Sequence, residues 1–311
     1  MTYKKIETVN ELLLPFAFGK KNILRLLEIP LLIKGHLLIN DLPGVGKTTL
    51  SKAFAIVVGL RFTRLQGTSD TLPQDIIGGE ALDPKTREFI IRKGPLFTEV
   101  ILIDEINRMH PKSQSAFLEA MEEGQVSIAG QAFPLPEQHM VIATQNPLEQ
   151  SGTYPLPEAQ KDRFSCSITI GVPDRDVQKN IISDEKYVDL TDRIEELPQI
   201  MSSEDISLLQ KAVHEVKISE IIIERLMDLS EWTRDARYFR YGLSLRGLTI
   251  IAAAMRANAV LEGRDYVIPE DGRGLMGPFL AHRIEHVDNA LTEGALGQML
   301  EEKYQELCKG L

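Results

Sequence analysis

"HLLINDLPGVGKTTL", residues His36 to Leu50, decides the fold. Its first five residues are nearly all apolar, as in a strand buried on both faces. Thr48 opens a helical pattern, and the loop between strand and helix carries Gly44 and Gly46. Strand, glycine loop and helix in that order are the setting of a phosphate-binding loop, G-x-x-x-x-G-K-[ST]. The glycines let successive backbone N–H groups turn towards phosphate oxygens, and the helix N-terminus adds partial positive charge. The cradle would run through Pro43, Gly44, Val45, Gly46, Lys47, Thr48 and Thr49. Lys47 would reach the β- and γ-phosphates of ATP, and the Thr48 hydroxyl would help hold Mg²⁺. Asp41 stands where the pattern has glycine. That position precedes the phosphate contacts, where glycine mainly supplies backbone freedom, and Asp tolerates left-handed geometry. The loop therefore reads as intact, with the carboxylate turned away from the nucleotide.

The second half of such a site is "VILIDEINR", Val100–Arg108. Four apolar residues form a buried strand ending in Asp104 and Glu105, at the sheet edge where the phosphate loop also opens. Asp104 can join the Mg²⁺ shell, and Glu105 can polarise an attacking water.

Outward from these two stretches, "RFTRL", "MVIAT" and "CSITI" read as further strands buried on both faces. Helical patterns at Thr48–Val58, Lys112–Glu122 and Asp174–Ser183 alternate with them, as a mostly parallel α/β sheet requires. Gly79–Gly94 and Gly124–Pro136 break the rhythm as hairpins, the first around Asp83-Pro84, the second with Ala129-Gly130 at its tip. Beyond about Pro198 the periodicity is helical throughout, including "IPEDGRGLMGPFLAHRIEH". The expected organisation is a parallel-sheet α/β core over residues 1–197 and a smaller all-α lid over 198–311.

Composition limits the alternatives. Charged residues make up 26% and hydrophobic ones 43%, as in ordinary globular proteins, and no apolar run approaches the ~20 residues of a membrane span. Glu7 and Glu11 interrupt the apolar N-terminal stretch, which reads as an amphipathic helix and not a signal peptide. Two cysteines provide no disulfide framework, which suits a reducing cytoplasm, and a net charge of −10 argues against general nucleic-acid binding.

The chain resembles the MoxR family of AAA+ ATPases over nearly its whole length. The resemblance rests on "DLPGVGKT", "DEINRMHPKSQSAFLEAMEEGQVSIAG", "FPLPEQHMVIATQNPLEQSGTYPLPEAQKDRF" and "GLSLRG". It implies that Asn146 is the sensor-one residue orienting the attacking water. It implies that Arg163 is an arginine finger pointing into a neighbouring subunit, and that Arg246 is the sensor-two arginine, at the start of a lid helix, reaching the γ-phosphate. The family more often has Ala-Ser-Pro-Arg-Ala around that arginine. The hairpins match the helix-two and pre-sensor inserts that line the centre of a ring. A hexameric, Mg²⁺-dependent ATPase that remodels client proteins, commonly with a von Willebrand A domain partner, is the implied function. A nucleic-acid motor of the same clade is the alternative. A hairpin tracking phosphates needs Lys or Arg near its tip; "VSIAGQAF" has none, and "EALDPKTREFIIRK" offsets its Lys and Arg with Glu80, Asp83 and Glu88.

Other constellations carry less. His282 and His286 lie four apart on what reads as a solvated helix face, without a third zinc ligand. Arg234, Arg237 and Arg240 read as a charged surface, and Cys166 as core.

Overall fold

The computed structural model describes residues 2–148, 152–183, 193–288 and 290–311. Two helices, α1 (Thr2–Leu13) and α2 (Lys21–Leu32), precede β1 (Leu37–Asn40), after which α3 (Lys47–Val57) leads to β2 (Phe62–Gln66). A short α4 (Pro73–Ile77) is followed by the hairpin β3 (Gly78–Leu82) and β4 (Phe89–Lys93), then β5 (Val100–Asp104). The chain continues through α5 (Pro111–Glu123), the hairpin β6 (Gln125–Ile128) and β7 (Gln131–Pro134), β8 (Met140–Gln145), α6 (Glu158–Lys161), β9 (Cys166–Ile168) and α7 (Arg175–Ser183).

Five strands form one parallel sheet in the order β2-β5-β8-β1-β9. The register aligns their carboxyl ends: Gln66 lies beside Asp104, and Asn40 beside Gln145. Parallel neighbours need crossovers, so every loop leaving a carboxyl end opens on the same edge. β1, β5 and β8 are apolar and buried, as their sequences require. "RFTRL" differs from expectation: β2 is one of the sheet's two edge strands and, unlike β9 at the other edge, is only partly covered, so it keeps polar side chains. Both hairpins form, and Ala129 (φ 52°) with Gly130 (φ 79°) makes the tight turn expected of two left-handed residues.

A smaller helical region follows: α8 (Ser203–Glu215), α9 (Glu220–Trp232), α10 (Leu245–Leu261), α11 (Met276–Leu280) and α12 (Glu293–Leu307). Ser202 starts α8 in a reciprocal capping box with Asp205, and Ser244 starts α10 by accepting from the Gly247 amide at 3.1 Å. "IPEDGRGLMGPFLAHRIEH" is not one helix. It divides into a 3₁₀ turn at Pro269–Gly272, α11, a second 3₁₀ turn at Ala281–Arg283 and a two-residue strand, Glu285–His286, paired with Phe239–Tyr241. Gly274, at φ 74°, stops helical propagation, and Gly277 lets α11 meet Gly297 of α12 backbone to backbone. One continuous apolar core joins α1, α2 and α3 to these helices, so α2 and the sheet face it shields are braced directly by the lid. No helix among the described residues is long and apolar enough to cross a membrane.

Candidate nucleotide site and its arginines

A cleft of ≈ 490 Å³ opens at the carboxyl edge of the sheet, lined by Pro43, Gly44, Lys47, Thr48, Asp104, Glu105 and Asn146 among others. The elements that converge there are the β1–α3 loop and the ends of β5 and β8. Gly44 and Gly46 take φ values of 86° and 74°, which turns the loop around the N-terminus of α3. The Lys47 ammonium donates to the carbonyls of Asp41 and Leu42 at 2.8 and 3.0 Å, and partial burial pulls its pKa below the usual lysine range. These are the groups a triphosphate requires: amides, a half-buried ammonium and a hydroxyl at a helix start.

Asp41 is not a hinge in left-handed geometry. It is 5% exposed, outside the positive-φ residues, and uses both carboxylate oxygens. Oδ1 accepts from the Leu42 amide at 2.9 Å and Oδ2 from the Gly171 amide at 2.7 Å. The carboxylate points away from the cleft, as expected, but it ties the loop to the segment after β9. Its partner at Gly171 is 130 residues away in sequence, beyond the reach of local pattern.

The acidic pair is held tightly. Thr144 donates to Asp104 Oδ1 at 2.6 Å and accepts from the Glu105 amide at 3.0 Å. Arg64 lies on Asp104 Oδ2 at 2.7 Å and also donates to Gln66, whose amide donates to Glu105 Oε2 at 2.8 Å. Arg108 reaches the same Glu105 oxygen at 3.2 Å. Glu105 sits at φ 58°, rare for a non-glycine residue, and Gly67 makes room for it: a Cβ there would lie 2.6 Å from the Glu105 carbonyl. Asn146 lines the cleft, its Oδ1 accepting from the Leu148 amide at 3.1 Å. Arg64, Gln66 and Thr144 escape motif reading, yet each lies at or near the carboxyl end of a strand of the same sheet. Position on that edge was the available signal.

Arg163 and Arg246 do not line this cleft. They share a second one, of ≈ 260 Å³, with Glu122, Lys34 and His36. Glu122 bridges them, Oε2 to Arg163 Nη2 and Oε1 to Arg246 Nη1, both at 3.0 Å. Arg246 therefore stands at the start of α10 as expected but outside its own chain's phosphate cleft.

Residues 36–166 match the ATPase family associated with various cellular activities (AAA), and residues 232–304 match the AAA lid domain. Chaperone MoxR1 of Mycobacterium tuberculosis is 37% identical over 88% of this chain and 74% of its own length. The protein MoxR of Paracoccus denitrificans is 32% identical over 86% of this chain and 85% of its own. The chain belongs to the MoxR-like AAA+ ATPases. Within the family it also resembles the uncharacterized protein YeaC of Bacillus subtilis, at 40% identity over 94% of this chain and 89% of that one. A solved structure from Cytophaga hutchinsonii superposes with a TM-score of 0.86 at 32% identity, covering 97% of this chain and 94% of that one. Parallel-sheet core and helical lid thus match MoxR-like AAA+ architecture.

The minor constellations resolve simply. His282 is buried, with Nε2 3.0 Å from the Phe164 carbonyl, and burial holds its pKa down to about 3. It does not lie on a solvated helix face, and it shares no helix with His286. No group of three or more His, Cys, Asp or Glu among the described residues is arranged to hold a metal ion. Arg237 pairs with Asp235 on an exposed turn, Arg240 pairs with Glu285 across the two short strands, and Cys166 is fully buried in β9.

Proposed function

We propose that this MoxR-family chain hydrolyses ATP with Mg²⁺ in a closed ring, hexameric by family resemblance, and remodels client proteins. The observation that carries this is the separation of the two clefts. Lys47, Asp104, Glu105 and Asn146 converge on one cleft, while Arg163 and Arg246 face another. If Arg163 and Arg246 stabilise transferring phosphoryl charge, they do so in a neighbour's cleft, an arrangement that a head-to-tail ring supplies. In this reading Pro43 to Thr49 cradle the phosphates, and Thr48 and Asp104 hold the metal, which would neutralise charge on the phosphate oxygens. Glu105 takes the proton of the attacking water and Asn146 orients it.

A protein client fits the β3–β4 hairpin better than a nucleic acid does. The cross-strand pair Leu82 and Phe89 is 54% and 74% exposed, an apolar surface suited to a protein segment, and the exposed Lys85 and Arg87 at the tip are offset by Asp83 and Glu88. Lys93, next to Arg92 at its base, lies over the rings of Phe97 and Phe133 and so ties the two hairpins together. A von Willebrand A domain partner follows from the resemblance, and a cytoplasmic setting from the sparse cysteine usage.

The test mixes two inactive proteins, Arg163→Ala and Glu105→Gln, under subunit exchange. An Arg163→Ala subunit keeps its own Glu105 and can borrow Arg163 from its neighbour. With random equal assembly about one quarter of interfaces regain both groups. Recovery towards that fraction is expected; confirmed mixing without recovery means that Arg163 acts within its own subunit or that every site must fire together, and only the second predicts a disproportionate loss when Arg163→Ala is diluted into parent rings.

A further inference from the structure

Glu122 occupies the last turn of α5, whose other end follows the turn that carries Glu105. Thirteen residues of helix make a rod of roughly 20 Å between the chain's own acidic pair and the carboxylate that bridges Arg163 and Arg246. Gly124 then caps the helix at φ 65° and releases the chain into the β6–β7 hairpin.

The backbone on either side of Arg163 is already immobile. Arg283 of the lid, almost fully buried, donates to the Asp162 carbonyl at 2.7 Å, to the Asp162 carboxylate and to the Phe164 carbonyl at 2.5 Å. His282 lies against the same Phe164 carbonyl. What that clamp leaves unfixed is the direction of the Arg163 side chain, and Glu122 sets it. Arg246 comes from a different element, the first turn of α10, and its Nε lies 3.9 Å from Asp162 Oδ2. Two guanidinium groups brought together repel one another; a carboxylate between them offsets that repulsion and fixes their spacing.

We propose that Glu122 is a positioning residue for hydrolysis at the neighbouring subunit's site: it holds Arg163 and Arg246 side by side, as a unit, for a phosphate that its own chain does not bind. The proposal rests on the reading that these arginines act across a subunit boundary. All three side chains are partly exposed, so the ion pairs add little to folding stability. Their effect lies in geometry, where misplacement by about 1 Å can cost up to ~10²-fold in rate.

The experiment uses the full chain. Glu122→Gln keeps the shape and removes the charge. Its kcat should fall about tenfold, with the KM for ATP within about twofold of the parent. Mixed in equal amounts with Glu105→Gln under subunit exchange, it should recover: the Glu105→Gln neighbour supplies an intact Glu122, Arg163 and Arg246 to the complete site of the Glu122→Gln subunit. About one quarter of interfaces then return to parent activity. A merely structural role for Glu122 would damage its own subunit, and mixing would not repair it. An unchanged or raised kcat, or a loss that mixing leaves in place while the Arg163→Ala and Glu105→Gln pair recovers, overturns the proposal. If that control pair also fails to recover, the trans reading itself is at fault. Glu122→Asp, which keeps the charge but is too short to span both arginines, should fall between parent and Glu122→Gln; a parent-like value would overturn the bridging geometry.

Discussion

Asp41 Oδ2 accepts the Gly171 amide at 2.7 Å, joining the first residue of the phosphate loop to the segment that follows the last strand of the sheet. Since Oδ1 accepts from the Leu42 amide, both oxygens of a buried carboxylate are used by backbone donors. Asp41→Gly should therefore cost roughly 1–3 kcal/mol of stability by leaving buried amides unpaired. Asp41→Asn should not rescue it, because its NH₂ would face one of two N–H donors. ATP affinity should stay within a few-fold in both, since neither oxygen faces the cleft. Thermal melts and calorimetric titration test this; a tenfold loss of affinity in a stably folded variant would assign the carboxylate a direct part in binding.

Glu105→Gln preserves shape and removes the base. ATP and Mg²⁺ should still bind while turnover falls by ~10² or more. Lys47→Ala should instead weaken binding itself, because its ammonium is the cation inside the loop. Near-normal turnover by Glu105→Gln would refute the assignment.

Arg64 and Thr144 occupy the two oxygens of Asp104. A metal ion must share Asp104 with a guanidinium or displace it. Arg64→Ala should consequently lower the Mg²⁺ concentration needed for half-maximal ATPase activity several-fold. A higher Mg²⁺ requirement in the activity titration would mean that Arg64 serves the triphosphate instead.

Glu28, in α2 behind the sheet, is pushed up to about 7 from 4.5, chiefly by burial and against the lowering effect of Arg25. Its Oε2 has no hydrogen-bond partner among the described residues. Between pH 4.5 and 7 the native chain holds a proton that the unfolded chain has lost, so this group's contribution to stability declines as pH rises through that window and is level above it. Glu28→Gln stays neutral. Its stability relative to the parent should grow from pH 4.5 to 7, by roughly 3 kcal/mol at most. Paired denaturant titrations across that range measure the difference, in which the opposing titration of buried His36 and His282 cancels; a difference independent of pH would contradict the shift.

Local pattern was enough wherever a residue's role depends on its near neighbours in sequence. The run from His36 to Asn40, the glycines after it and the helix from Lys47 follow from periodicity and turn chemistry, and so do the Ala129-Gly130 hairpin and the Ser202 cap. Pattern misjudged "RFTRL" because whether an edge strand is covered, as β9 is, or left partly open, as β2 is, depends on what packs over it. It also missed the break at Gly274, where a left-handed φ of 74° ends the helical run before α11 begins. Tertiary structure alone decided the rest. Asp41 finds Gly171, Arg64 finds Asp104, and Glu122 gathers Arg163 and Arg246 from elements 41 and 124 residues away. Hydrogen bonds and ion pairs act over about 3 Å in space whatever the separation along the chain, so only packing of sheet, helices and lid determines which of many arginines meets which carboxylate.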